Sequence, residues 1–270
     1  MNPSALPTTR QLTLAYALSL IVAVLMAAVS LVGLLFPSAV YPTDEMRNSS
    51  VPTDMVNLVI ALPVLVGSME LARRGRLIGL LFWPGALLYI AYNYIAYTVA
   101  MPFTLLGALS LPLVLLSATA IYRLLAGIDA AAVQQRLEGR VSERFTGGIL
   151  LGFGALFFLM AAGKVVSFLT GQAAIPWPEM SVQIADLLIT PAWLVGGILL
   201  WRRRALGYVT GAGLLFQASM LFVGLLVFFI LQPFVAGVPF PTNDFVVIAV
   251  MSLVCLIPFG LFLRGLVRLG

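Results

Sequence analysis

The sequence predicts an all-α protein, a polytopic membrane bundle of eight transmembrane helices arranged as two parallel four-helix repeats. The first observation is composition: the 270 residues are 61% hydrophobic and 9% charged, which is unlike soluble domains. The second is length, because the apolar runs are about 20 residues or longer, as needed to cross a hydrocarbon core of ~30 Å. The third is that short motifs recur in the same order in the two halves of the chain.

Eight apolar runs follow one another along the chain. The breaks Arg73-Arg74-Gly75-Arg76 and Arg202-Arg203-Arg204 are too highly charged to lie within a span, so each separates two helices. Longer connections are expected at 37–53, 126–146 and 232–244. The predicted helices cover residues 11–36, 54–72, 77–99, 102–125, 147–170, 181–201, 205–231 and 245–266.

Charge is distributed unequally between the two ends of the predicted bundle. Of the 15 basic residues, all except Arg47 and Lys164 fall at one end, including Arg10 and Arg268 near the termini. Six acidic residues fall at the other end: Asp44, Glu45, Asp54, Glu179, Asp186 and Asp244. Because cytoplasmic loops are enriched in Lys and Arg, we expect both termini to be cytoplasmic in a prokaryotic inner membrane.

An internal repeat is indicated by motifs at constant offsets. The sequence Leu25-Met26-Ala27-Ala28 recurs 134 residues later, as does Glu45-Met46. Pro63, Gly79 and Gly85 recur 128 residues later as Pro191, Gly207 and Gly213. Four spans per unit give both units the same orientation, so the repeats are expected to be related by an axis along the membrane normal. The predicted units are residues 1–125 and 147–270, with a linker at 126–146.

The linker carries apolar residues at every fourth position, Val133, Leu137, Val141 and Phe145. Arginines form an adjoining stripe. This pattern predicts an amphipathic helix, which either lies on the cytoplasmic leaflet or is a solvated connector between the repeats.

Several classes of chemistry are disfavoured by missing residue types. The chain has no histidine and one cysteine, Cys255, so the usual haem, zinc and thiol-redox centres are not expected. No phosphate-binding loop, nucleophile elbow or nucleophile–base pair is present, and the arginines lie beside membrane spans rather than on a nucleic-acid-binding patch. We therefore expect no metal, cofactor or nucleic-acid partner, and the sequence favours a non-enzymatic role.

Polar residues within the spans are the candidates for function. Asp54 and Asn57 share a face at the start of the second helix, where Asp54 either caps the helix or binds a ligand. In the third helix Tyr89 and Asn93 lie four residues apart, and the Asn93 amide must bond within the bundle or face water. Gln217 occupies the position of Tyr89 in the second half.

Lys164 and Asp186 are charged residues in consecutive, antiparallel predicted helices. Lys164 is the only lysine in the chain, and each residue lies about one to two turns from the same end of the bundle. Because buried charges normally pair, we predict an ion pair between them. Snorkelling of Lys164 towards the outer headgroups is the alternative.

Two motif sets resemble a group of prokaryotic multi-pass membrane proteins that has no assigned activity. They are Asp54-x-x-Asn57-Leu58 with Pro63, Arg73-Arg74 and Tyr92-Asn93-Tyr94, and Leu200-Trp201-Arg202-Arg203-Arg204 with Gly207-Tyr208. The pair Gly163-Lys164 after an apolar run is similar to part of the four-helix DoxX-like family. These resemblances imply a multi-pass membrane protein and no particular reaction.

We therefore predict an outward-facing acidic pocket that binds a small solute, a cation or a lipid, with transport as a further expectation. The alternative is a non-transporting accessory, sensor or assembly protein whose polar residues only hold helices together. The expected partners are membrane lipids, together with a membrane partner protein or a second copy of the chain. The predicted pocket residues are Asp54, Asn57, Tyr89, Asn93, Lys164, Asp186 and Gln217.

Overall fold

A computed structural model describes residues 6–9, 12–101 and 104–267. Within these residues, eight helices are long and apolar enough to cross a membrane, so the chain is an integral membrane protein with an all-α polytopic bundle. They are α1 (Thr13–Leu35), α2 (Asp44–Arg73), α3 (Leu77–Ala100), α4 (Leu105–Gly127), α5 (Glu143–Leu169), α6 (Trp177–Trp201), α7 (Ala205–Ala236) and α8 (Thr242–Val267). The predicted starts at residues 11 and 102, and the charges of Arg10 and Arg268, lie outside the described residues.

Helices α2 and α6 begin earlier than the apolar runs predict. Helix α2 starts at Asp44 rather than 54, and Thr43 caps it by accepting a hydrogen bond from the Met46 backbone N–H at 3.2 Å. Asp54 therefore lies in the third turn of α2, and the prediction that it caps the helix is wrong. The polar stretch 44–53 carries no apolar signal, which is why sequence reasoning placed it in a loop.

Pro63 interrupts α2 by a local change of helix type. Residues Asn57–Ala61 form a π-helical turn directly before the proline, and the Leu62 N–H bonds the Asn57 carbonyl. Proline cannot donate to the carbonyl four residues earlier, and a π turn is one way to absorb that loss. Helix α6 remains α-helical through the matched Pro191, so the two prolines differ in their local effect.

Helices α3 and α7 occupy the centre of the bundle. They cross where Gly85 meets Gly213, and a Cβ on Gly85 would lie 2.2 Å from the Gly213 carbonyl oxygen. The contact therefore requires glycine on α3. Because these two glycines occupy equivalent positions in the predicted repeats, the crossing is what a two-fold axis through this point would produce.

The turns α2–α3 and α6–α7 also agree residue by residue. Gly75 and Arg203, which are 128 residues apart, both have positive φ, of 79° and 53°. Each turn closes with the same two backbone hydrogen bonds, Gly75 to Ala72 and Arg76 to Leu71 in one, and their counterparts in the other. These matches favour duplication, and the complete four-plus-four layout stays a prediction.

The linker packs one face of a short helix against the protein. Its helix spans Ala130–Leu137, and Val133 and Leu137 are fully buried. Helix α7 lies against this helix. The apolar stripe is thus used for tertiary packing, and the position of the outer face, on the cytoplasmic leaflet or in water, stays a prediction.

The two ends of the bundle differ in character. The end formed by residues 74–76, 127–142 and 202–204 holds most arginines, and we call it the arginine-rich end. The N-terminal segment lies there too, since Thr9 donates its backbone N–H to Gly127 O at 2.8 Å. Glu70 pairs there with Arg74, one helical turn later, at 2.7 Å and also with Arg73 at 2.8 Å. The opposite end, with residues 36–43, 170–176 and 237–241, is called the acidic end.

Candidate functional site

A cavity of about 380 Å³ lies between the two halves of the bundle. It extends from the acidic end, at Met46, Met101 and Pro178, to Tyr89 and Trp193 in the middle portions of α3 and α6. This volume falls in the range of small-molecule sites. The main polar lining residues are Ser49, Ser50, Thr53, Tyr89, Tyr92, Asn93, Tyr97, Ser181 and Asp186.

Asp186 is the charged side chain of this lining, among the residues that the structure describes. It lies nine residues into α6, ~13 Å from the helix start by the helical rise, and is half-buried. The Tyr92 hydroxyl donates to Asp186 Oδ1 at 3.0 Å. No ion pair within the described residues includes Asp186. Lys164 acts on it only through a longer-range electrostatic interaction, so the carboxyl group faces the cavity without a cation in direct contact.

Aromatic rings from several helices line the same cavity as this carboxylate. Phe157 of α5 meets Trp193 of α6 edge to face, with ring centroids 6.1 Å apart, and also contacts Phe222 of α7. The Trp193 indole N–H donates to Gln217 Oε1 at 2.6 Å, which fixes the ring at the inner limit of the cavity. Gln217 therefore lies behind the wall, and its Nε2 group has no hydrogen-bond partner among the residues that the structure describes.

Asp54 lies behind the cavity wall and is fully buried. The hydroxyl of Tyr41 donates to Asp54 Oδ2, and that of Tyr97 donates to Oδ1 at 3.3 Å. Burial raises the pKa of the Tyr41 phenol, so Tyr41 stays a hydrogen-bond donor at neutral pH. A Cβ on Gly33 would lie 2.2 Å from Asp54 Oδ2, so a glycine in α1 provides the space for the carboxylate.

Asn93 connects the cavity to the same buried region. Its Nδ2 donates to Asn57 Oδ1 at 3.0 Å, and Asn57 Nδ2 donates to Ser30 Oγ at 3.3 Å. The π turn before Pro63 includes Asn57, which is fully buried. The Asn93 amide thus both bonds within the bundle and lines the cavity, two roles that the sequence had presented as alternatives.

Lys164 is not part of this site, and the predicted Lys164–Asp186 ion pair is wrong. The Lys164 ammonium instead pairs with Glu179 Oε1 at 2.5 Å, and the two side chains are 42% and 46% exposed. Because α6 begins at Trp177, Glu179 is available in its first turn, close to the acidic end. A flexible lysine that extends towards the nearest helix end avoids burying its charge, which is the snorkelling alternative.

Three of the seven predicted residues, Tyr89, Asn93 and Asp186, line the cavity; Asp54, Asn57 and Gln217 lie behind its wall, and Lys164 lies outside. Sequence reasoning missed Trp193 and Tyr41. A tryptophan two residues after Pro191 gave a usable signal for Trp193, whereas Tyr41 lies in a connection and gave none. Tyr94 and Tyr97 of α3 are also buried among the helices.

No protein-family model, no curated protein and no solved structure matches this chain. No group of three or more His, Cys, Asp or Glu side chains that could hold a metal ion occurs in the described ranges.

Proposed function

We propose that this membrane protein binds a small organic cation in the cavity, with Asp186 as the counter-charge. The observation that carries the proposal is a half-buried carboxylate that forms no ion pair within the described residues, set in a mostly aromatic and apolar wall. An ionisable residue inside a membrane protein is costly and normally marks a functional site. A ligand that supplies the missing positive charge compensates that cost.

The aromatic lining favours an organic cation over a hydrated metal ion. A quaternary or protonated amine gains ~0.5–2 kcal/mol from each well-placed aromatic face. Tyr89, Tyr92 and Trp193 offer such faces within the same cavity as Asp186. An inorganic ion would need several oxygen ligands in place of its water shell. An anionic ligand would meet the Asp186 carboxylate unfavourably.

We further propose that the acidic end faces outwards from a prokaryotic cytoplasmic membrane, because the arginine-rich end then obeys the positive-inside rule. The ligand would enter from outside and reach the middle of α3 and α6. Transport would require a second opening towards the arginine-rich end, whereas a sensor or accessory protein would use the bound ligand without moving it.

Binding can be tested with purified protein and benzyltrimethylammonium as the probe cation. We expect saturable quenching of Trp193 fluorescence, which Trp193→Phe removes. Asp186→Asn should weaken binding about tenfold or more, which corresponds to ~1.4 kcal/mol. Glu179→Gln removes the same charge from the same helix outside the cavity, and it should change affinity less than about twofold.

Equal binding of benzyltrimethylammonium and uncharged benzyl alcohol derivatives, or equal affinities of Asp186→Asn and wild type, would overturn the proposal. Uptake of the radiolabelled probe into proteoliposomes then separates transport from binding. Binding without uptake would support the sensor or accessory role.

A further inference from the structure

The second buried carboxylate of the bundle, Asp54, is enclosed by donors. Two phenol hydroxyls bond its two oxygens, from Tyr41 in the connection after α1 and from Tyr97 in α3. The Ser30 hydroxyl of α1 faces the same carboxyl group. Asp54 has no exposed surface and takes part in no ion pair within the described residues.

The groups packed around Asp54 leave its charge uncompensated. The titratable side chains that face it are Tyr41 and, on α3, Tyr94 and Tyr97. Helix α1 contributes Ser30, and α7, which also packs on α2, carries Tyr208 at its opposite end. Helix α6 touches α2 as well and adds the negative residues Glu179 and Asp186. A proton is the positive charge that these surroundings can accommodate.

Two hydrogen-bonded routes connect Asp54 to the cavity. Tyr97 lines the cavity and touches Asp54 directly, and its hydroxyl also reaches the Ser50 carbonyl at 3.3 Å. The second route runs from Asn93 through Asn57 to Ser30. Only one side chain therefore separates the buried carboxyl group from the ligand space along the first route.

We propose that Asp54 is an exchangeable proton-binding site, and that a cation entering the cavity displaces its proton. The carboxylic acid transfers its proton to the Tyr97 oxygen while the Tyr97 hydroxyl proton passes to water in the cavity. Asp54 is left as a carboxylate that accepts hydrogen bonds from Tyr41 and Tyr97. One proton leaves for each positive charge that enters, so the charge of the buried region is conserved.

The protonation step is testable without any ligand, although the coupling rests on the proposed cation site. Infrared spectra of the wild type in lipid at neutral pH should contain a carboxylic-acid C=O band that shifts in D₂O. Asp54→Asn should remove this band, and Asp186→Asn should retain it. A band unchanged in Asp54→Asn would overturn the proposal.

If Asp54→Asn does not fold, Tyr97→Phe provides a second test. It keeps the carboxyl group and removes the direct route, so the band should shift in frequency and exchange more slowly into D₂O. An unaltered frequency and exchange rate in Tyr97→Phe would overturn the proposal as well.

The coupling is measured by adding benzyltrimethylammonium to weakly buffered protein with a pH indicator. We expect about one proton released per bound cation in wild type and none in Asp54→Asn. Binding without proton release from wild type would overturn the coupling and leave the cation site intact. Absence of binding would overturn the cation site, and the infrared result would still decide whether Asp54 holds a proton.

Discussion

Replacing Gly85 with alanine should destabilise the protein by forcing α3 and α7 apart. The new Cβ would lie 2.2, 2.8 and 2.9 Å from the carbonyl oxygen, carbonyl carbon and Cα of Gly213. All three are backbone atoms, so no side chain can move aside. Ordinary contact requires about 1 Å more separation. Overpacking of this kind costs ~1–3 kcal/mol, and we expect the upper part of that range.

The same substitution on the other helix of the crossing, at Gly213 of α7, provides an internal comparison. A Cβ on Gly213 would lie 3.0 Å from the Leu81 carbonyl oxygen and 3.2 Å from the Gly85 nitrogen. Gly213→Ala should therefore cost less, about 1 kcal/mol. Gly163→Ala in α5 meets no atom within 4 Å and serves as the control. It should be neutral or slightly stabilising, because alanine favours helix over glycine by up to ~1 kcal/mol.

The measurement is the free energy of unfolding in mixed micelles of detergent and SDS, followed by circular dichroism. The order of destabilisation should be Gly85→Ala, then Gly213→Ala, then Gly163→Ala. Since Tyr89 lies one helical turn beyond Gly85, cation binding should weaken in the same order. Equal unfolding free energies for Gly85→Ala and Gly163→Ala would refute the close crossing.

Three further predictions concern other parts of the bundle. A double-mutant cycle on Lys164→Met and Glu179→Gln should give a coupling of only ~0.2–1 kcal/mol, since the pair is exposed; a larger value would indicate a buried pair. Glu143→Ala should cost ~1–3 kcal/mol in unfolding free energy, because the buried carboxylate accepts bonds from a tyrosine hydroxyl and a backbone N–H; an unchanged value would contradict those bonds. Cysteine at Gln172 should react with an impermeant thiol reagent on intact cells, and cysteine at the equally exposed Gln135 should not; the opposite pattern would reverse the proposed orientation.

Sequence alone determined the number and the approximate extent of the spans, because hydrophobic length is a local property. Most predicted boundaries agree with the structure within a few residues, and α2 is the largest exception. Seven of its first ten residues are polar, and the segment can be helical because part of it lines the cavity. Likewise, the Glu70–Arg74 pair needed only the spacing of one helix turn.

Tertiary structure decided which polar side chains meet. Lys164 could have paired with either acidic residue of α6. It pairs with Glu179 because α6 begins at Trp177, which puts Glu179 in the first turn, and because the lysine side chain extends towards that end of the helix. Asp54 became a buried acceptor because α1 provides Gly33 and the following connection provides Tyr41. Such contacts depend on the rotation and depth of several helices at once, and hydropathy reports only that each helix prefers lipid to water.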